Sequence, residues 1–111
     1  MEKNEATGGE KSLKQVIRAL CADFERRCEC VENGTVSRRV RMEYVYLNSR
    51  MLDAAYSVCG SELGRAFIKD LGDGVGYAKS PLADSLSEST YKRCKEGVVM
   101  SIAHRLHLAD K

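Results

Sequence analysis

The chain has 111 residues, of which 43% are hydrophobic and 31% charged, and its formal net charge is +2. This length fits one domain and excludes TIM-barrel and full dinucleotide-binding enzymes, while the apolar fraction excludes a wholly disordered chain. One proline, no tryptophan and 6% aromatic residues, beside many helix-favouring residues, indicate helices, and the near-neutral charge excludes a histone-like protein.

Hydropathy and cysteine number bear on the compartment. No stretch approaches the roughly 20 apolar residues of a membrane-spanning helix, and the charged, glycine-containing start of the chain lacks the apolar segment of a secretory signal. Five cysteines are an odd number, which argues against a closed disulfide framework. We therefore expect a cytoplasmic protein that makes no contact with a membrane and most of whose cysteines are free thiols.

The first predicted helix starts at Ser12, which can cap it. Apolar residues follow at spacings of three and four from Leu13 to Val31, and Gly34 ends the helix. The heptad-like spacing of this stripe makes it the candidate seam of a homodimer. The opposite face is charged and is expected to face solvent; it consists of Lys14, Arg18, Asp23, Arg26 and Arg27.

Two more helices precede a glycine-rich segment. The second helix is predicted from near Thr35 or Ser37 to Gly60, and a shorter third helix follows from Ser61 to Leu71. Residues 72–76 contain three glycines, so that they are expected to form a loop.

The last third of the sequence predicts a helical hairpin. Ser80-Pro81 is a strong start signal for a short helix that extends to Leu86. Ser87 starts a long helix that extends to Leu108 and has a broad apolar stripe. A short helix, a tight turn and a long helix are the arrangement of a helix-turn-helix. Two core helices with a capped junction are the structural alternative.

These elements predict an all-α fold, a compact bundle of four to five helices with a C-terminal helix-turn-helix-like hairpin. Residues 1–11 are expected to form a disordered tail, and residues 12–111 a single helical domain.

The start of the long helix carries hydroxyl and basic side chains, which suit contacts with phosphates and base edges in the major groove. A basic cluster at the start of the second helix is expected to add contacts with the DNA backbone. The predicted DNA-binding residues are Ser87, Ser89, Thr90, Lys92, Arg93, Lys95, Arg38, Arg39 and Arg41.

Residues 81–93 resemble the helix-turn-helix of sigma-factor-like phage regulators, the late-gene transcriptional regulators of the ArpU and RinA type. In that family an alanine and a leucine, here Ala83 and Leu86, precede a Ser-x-Ser-Thr-aromatic start of the recognition helix. The long helix of the family ends in an Ala-x-x-Leu pattern, which matches residues 103–106. The family's turn has a glycine and an apolar residue after the leucine, whereas Leu86 runs directly into Ser87, so that the turn is shorter here.

The favoured function is therefore that of a DNA-binding transcriptional regulator of phage or mobile-element origin, a homodimer because one recognition helix reads only a short site. The alternative is a small phage-type protein-binding module that inhibits a host or defence enzyme, such as a CRISPR nuclease, without binding DNA. It would use the acidic side chains of the first helix, which are Asp23, Glu25, Glu29 and Glu32.

The remaining motifs do not support a metal site, a phosphate-binding loop or a catalytic centre. Cys28-x-Cys30 and His104-x-x-His107 supply four possible ligands, but the cysteine pair does not have the common C-x-x-C spacing, so that no metal is expected. The glycine-rich loop lacks the glycine that a phosphate-binding loop has directly before its Lys-Ser pair. No cysteine, histidine or carboxylate has the local context of a catalytic group, and we expect neither enzymatic activity nor a cofactor.

Overall fold

The computed structural model describes the backbone of residues 2–108 and the side chains of residues 12–108. Over this range the chain is all-helical and has no strand, which confirms the predicted fold class. The elements are α1 (Glu2–Ala22), α2 (Phe24–Asn33), α3 (Arg38–Asp73), 3₁₀ turns at Tyr77–Lys79 and Pro81–Asp84, and α4 (Glu88–Arg105). The expected tail, residues 1–11, lies outside the residues whose side chains are described.

The first predicted helix is interrupted at Asp23, which separates α1 from α2. The Asp23 carboxylate accepts hydrogen bonds from the guanidinium of Arg26, at 2.5 Å from Nε and 2.7 Å from Nη2. These bonds hold the pKa of Asp23 below its ordinary value. The end of α2 agrees with the prediction, because Gly34 adopts the left-handed conformation with φ 64°.

The second and third predicted helices form one long element, α3, with a sharp break at Gly60. Ser37 caps α3, and its hydroxyl accepts a hydrogen bond from the Val40 amide at 3.3 Å. Gly60 has φ 85° and ψ 166°, a conformation that side chains disfavour. The break divides α3 into an amino-terminal arm, residues 38–59, and a carboxy-terminal arm, residues 61–73.

The α4 helix packs antiparallel to the amino-terminal arm of α3. Arg50 Nη2 donates a hydrogen bond to the carbonyl oxygen of Arg105, and the Ser101 hydroxyl donates to that of Ala54 at 3.1 Å. Gly97 meets Val58, and a Cβ atom at Gly97 would lie only 3.0 Å from Val58 Cγ1. The beginning of α4 therefore lies beside the break in α3, and the end of α4 lies nearer the start of α3.

The core joins all four α-helices. Its largest fully buried side chains are Tyr91, Phe24, Phe67, Ile17, Met51, Ile68, Ile102 and Val98. Ile17, Cys21 and Phe24 belong to the apolar stripe of the first predicted helix. Because that stripe packs inside the monomer, the expectation that it forms a dimer seam is wrong.

The region of the predicted hairpin differs from the expected one. In place of a short α-helix from Ser80 to Leu86, the chain makes one 3₁₀ turn at Pro81–Asp84. The Tyr77 hydroxyl lies 2.7 Å from the carbonyl oxygen of Leu86 and occupies this acceptor at the junction with α4. Ser87 then caps α4, as expected, and its hydroxyl accepts from the Thr90 amide at 3.3 Å.

Candidate nucleic-acid interface

The solvent face of α4 begins with two of the predicted DNA-binding residues. Ser89 and Arg93 are exposed one turn apart, and within residues 12–108 no carboxylate forms an ion pair with Arg93. The same face continues through Glu96, Met100 and His104. The guanidinium of Arg93 therefore faces solvent and has no ion-pair partner among the described residues.

Ser87 and Thr90 have roles inside the protein. The Ser87 hydroxyl caps α4 and also lies 3.0 Å from Thr90 Oγ1. These hydroxyls fix the geometry of the helix start, and Thr90 is half-buried. Their surroundings favour a structural role over direct contact with bases.

Two predicted lysines on α4 have different surroundings. Lys92 is exposed and pairs with Glu88 across one helical turn at 3.0 Å. The Nζ atom of Lys95 donates a hydrogen bond of 2.6 Å to the carbonyl oxygen of Val75 and lies 5.3 Å from the centre of the Tyr91 ring. Burial lowers the pKa of Lys95 below its ordinary value. Lys95 thus joins α4 to the loop that follows α3.

A basic groove runs between α1 and α4. It has a volume of about 250 Å³ and is lined by Lys14, Arg18, Leu71, Lys92, Lys95, Glu96 and Val99. Lys14 pairs with Glu96 at 3.3 Å, which leaves a local excess of positive charge. We call this surface the basic groove. It has the charge of a site for anions such as phosphate groups.

The contribution of α1 to this groove was not foreseen. Lys14 and Arg18 were expected to be solvent-facing charges of the first helix, and their spacing of four places them on one side of it. That spacing was a signal for a basic stripe. Nothing in the sequence relates the stripe to α4, because only tertiary packing brings α1 beside α4.

The predicted basic cluster at the start of α3 lies elsewhere. Arg38, Arg39 and Arg41 are exposed, and Arg39 pairs with Glu43 at 3.5 Å. Arg41 lies about 25 Å along the α3 axis from Val58, which contacts Gly97 of α4. Arg93 lies about one helical turn from Gly97, in the direction away from Arg41. The two clusters are therefore ~30 Å apart. The structure therefore does not bring the two predicted sets together.

An exposed apolar face on α3 was also missed. Met42, Val45 and Tyr46 are 63%, 46% and 61% exposed and lie within two turns of one another. They share a shallow groove with Arg38, Arg41 and Ser49. The spacing of these residues forms a second apolar pattern beside the buried stripe of the same helix. This second pattern could have predicted the exposed face from the sequence.

The acidic residues of the alternative reading are partly engaged by the protein itself. Asp23 pairs with Arg26 and Arg27, and Glu25 pairs with Arg65 at 2.9 Å. Glu29 and Glu32 are exposed on α2.

Metal ligands, membrane contact and relatives give no further assignment. Among the described residues, no group of three or more histidine, cysteine or acidic side chains is arranged to hold a metal ion. In the same part of the chain, no helix combines the length and apolar character needed to cross a bilayer. Comparisons with protein families, curated proteins and solved structures gave no match.

Proposed function

We propose that the protein binds double-stranded DNA through α4 and the basic groove, as a transcriptional regulator of phage or mobile-element type. The supporting observation is that Lys92 and Lys95 line one groove with Lys14 and Arg18, next to the exposed Arg93. Cations grouped in this way neutralise phosphates and release counterions.

The groove and the helix start have separate tasks in this proposal. The side chains of Lys14, Arg18 and Lys92 bind phosphates and fix the position of the protein on the duplex. Arg93, next to the groove, binds a fourth phosphate, and the hydroxyl of Ser89 on the same exposed face of α4 contacts base edges. Because the 3₁₀ turn replaces the first helix of the predicted hairpin, α4 enters the major groove without a second helix crossing the backbone beside it.

The arginines at the start of α3 have a conditional place in the proposal. Their separation from Arg93, ~30 Å, is close to one turn of B-DNA, about 34 Å. Arg38, Arg39 and Arg41 therefore contact a duplex only if the duplex runs along the protein. Arg39→Ala tests this orientation, because it weakens binding only if that contact exists.

The experiment measures binding to a fluorescent duplex of mixed sequence by anisotropy. With about four phosphate contacts, raising the salt concentration from about 50 mM to about 200 mM weakens binding roughly a hundredfold. Arg93→Ala weakens binding about fivefold to tenfold at low salt and makes the salt dependence shallower by about one contact.

The matched control is Arg65→Ala. It removes the same charge from a partly exposed arginine whose guanidinium pairs with Glu25 of α2, away from the basic groove. This variant is expected to bind within about twofold of the unchanged protein, since distant surface charges are screened. An absence of binding at low salt, or equal losses in both variants, would contradict the proposal and favour the protein-binding alternative.

A further inference from the structure

The exposed face of α3 is a continuous stripe with unlike charges at its two ends. Along the amino-terminal arm, Arg38, Met42, Val45, Ser49 and Asp53 follow one another at spacings of three and four, and all are exposed. Tyr46 lies beside them and its ring is 5.4 Å from the Arg50 guanidinium carbon. The stripe is apolar at its centre, positive at the start of the helix and negative at Asp53.

This distribution of charge fits a second copy of the same stripe in the antiparallel direction. We infer that the protein forms a two-fold symmetric dimer in which the amino-terminal arms of α3 pack against each other, with Arg38 of each copy opposite Asp53 of the other. With the two-fold axis between positions 45 and 46, Met42 meets Ser49, and Val45 meets Tyr46. An isologous contact needs this kind of self-complementary surface.

The ends of α3 favour the same pairing. The first turn of α3 contains no acidic residue and carries Arg38, Arg39 and Arg41, so that positive side chains stand at the positive end of the helix dipole. Asp53 of the second copy would bring a carboxylate to that end. In a parallel pairing, the arginines of both copies would face one another, which is repulsive.

The flank of the stripe adds a second complementary contact. Arg41 lies in one row with Val45 and Leu52, the row that borders α2, and Glu32 lines the groove beside Val45. A two-fold axis perpendicular to antiparallel helices keeps equivalent flanks on the same side. Arg41 of each copy is therefore placed on the side of the other copy's Glu32.

A homodimer was expected because one recognition helix reads only a short DNA site. The present inference places the dimer contact on α3, and its evidence does not depend on the basic groove. Met42, Val45 and Tyr46 lie ~25–30 Å from Arg93 along the antiparallel helices. They line a groove of their own and not the basic groove. Sedimentation without DNA measures dimerisation, and the anisotropy of Arg93→Ala measures the contact beside the groove, so that the failure of one leaves the other to be decided by its own experiment.

The experiment is sedimentation velocity of the full chain under reducing conditions, over a concentration series. The unchanged protein is expected to pass from a species of 12.3 kDa to one of twice that mass. Met42→Glu replaces an apolar side chain one turn from the two-fold axis with a carboxylate that dimerisation must desolvate, and weakens dimerisation about a hundredfold. Met100→Glu is the matched control, because Met100 is an exposed methionine, 40% accessible, on the solvent face of α4.

Charge reversal tests the antiparallel register. Arg38→Asp and Asp53→Arg each turn two symmetric attractive pairs into repulsive ones and weaken dimerisation about tenfold. The double variant carries both changes, restores the pairs in reversed polarity and recovers the affinity of the unchanged protein. Circular dichroism and thermal unfolding of each variant verify that it is folded.

Three results would overturn the inference. The first is an unchanged protein that stays monomeric at every concentration, which would leave the stripe to a partner of another kind. The second is a loss of dimer in Met100→Glu as large as in Met42→Glu. The third is a double charge variant that remains as weak as the single variants.

Discussion

The hydroxyl group of Tyr91 donates a hydrogen bond of 2.9 Å to Oδ2 of Asp70, and both residues are buried. Asp70 lies in the carboxy-terminal arm of α3 and Tyr91 in the first turn of α4, so that this bond fixes the start of the proposed recognition helix. The Ser80 hydroxyl also donates to Asp70 Oδ2, and through it the 3₁₀ turn is held at the same point.

Tyr91→Phe removes one donor from this carboxylate and leaves its ring contacts in place. The expected loss is about 1–3 kcal/mol in the free energy of unfolding, because a buried acceptor loses a partner. Urea unfolding at neutral pH measures it. A change below about 0.5 kcal/mol would show that the bond contributes little to stability.

The same bond predicts how stability depends on alkaline pH. Burial, and after it the hydrogen bond with Asp70, raise the pKa of Tyr91 above its ordinary value of 10.0. A group whose pKa is raised by folding stabilises the protein fully below its unfolded pKa, and this contribution is lost as the pH rises towards the folded pKa. The unchanged protein should therefore lose stability above pH 10 more steeply than Tyr91→Phe, as measured by urea unfolding across this range.

Gly72→Ala should destabilise the contact between α1 and α3. A Cβ atom at Gly72 would lie 2.7 Å from the carbonyl oxygen of Cys21 and 2.8 Å from the Cα atom of Ala22, and neither backbone atom can rotate away. We expect a loss of about 1–3 kcal/mol, although alanine has the higher helix propensity. Thermal unfolding measures this loss of stability. Gly76→Ala is the control, because a Cβ atom there meets nothing within 4 Å. Equal effects would contradict the close approach of the two helices.

Arg27→Ala should unfold the protein more readily than Arg26→Ala. Arg27 was expected on the solvent face of the first helix, but it is buried, and its guanidinium donates at 2.7 Å both to Asn48 Oδ1 and to the carbonyl oxygen of Leu20. Its removal leaves these acceptors without a partner and opens space in the core, for a loss of about 3–5 kcal/mol. The neighbouring Arg26 is half-exposed, and its loss should destabilise the protein much less, because solvent screens its pair with Asp23. Chemical denaturation of the two variants decides which arginine supports the fold.

Lys95→Met should loosen the loop after α3, whereas Lys92→Met should not. Lys95 Nζ bonds to the carbonyl oxygen of Val75, while Lys92 pairs with Glu88 on its own helix. The loss of one hydrogen bond of about 1 kcal/mol corresponds to roughly fivefold faster amide exchange in residues 74–79. Hydrogen exchange followed by mass spectrometry reports this for both variants, which lose the same charge. If exchange in Lys95→Met is unchanged, the bond to Val75 does not hold the loop. Lys95 would then be available for the phosphate contact predicted from the sequence.

The helix caps, the end of α2 and the break in α3 could be predicted from the sequence, because each depends on a few neighbouring residues. Ser37 and Ser87 cap their helices, Gly34 ends α2, and Gly60 breaks α3 where two helices were predicted to meet. Capping and backbone conformation depend on neighbouring residues alone.

The prediction at residues 80–86 shows where local signals stop. Ser80 and Pro81 start a helical turn as expected, and Ser80 caps it. The turn does not continue as an α-helix, and the Tyr77 hydroxyl occupies the carbonyl oxygen of Leu86 at its end. This contact depends on how the chain returns after α3, which no pattern of spacing records.

The sequence by itself determined that the chain is helical, where α3 and α4 start, where α2 ends, and which side chains carry charge at the start of α4. Only the tertiary structure decided which charged residues act together. It placed Lys14 and Arg18 beside α4, separated Arg38 and its neighbours from Arg93, and buried Arg27. The physical reason is that helix formation depends on contacts three and four residues apart, whereas a groove or a buried ion is created by helices distant in sequence that pack to bury their apolar faces.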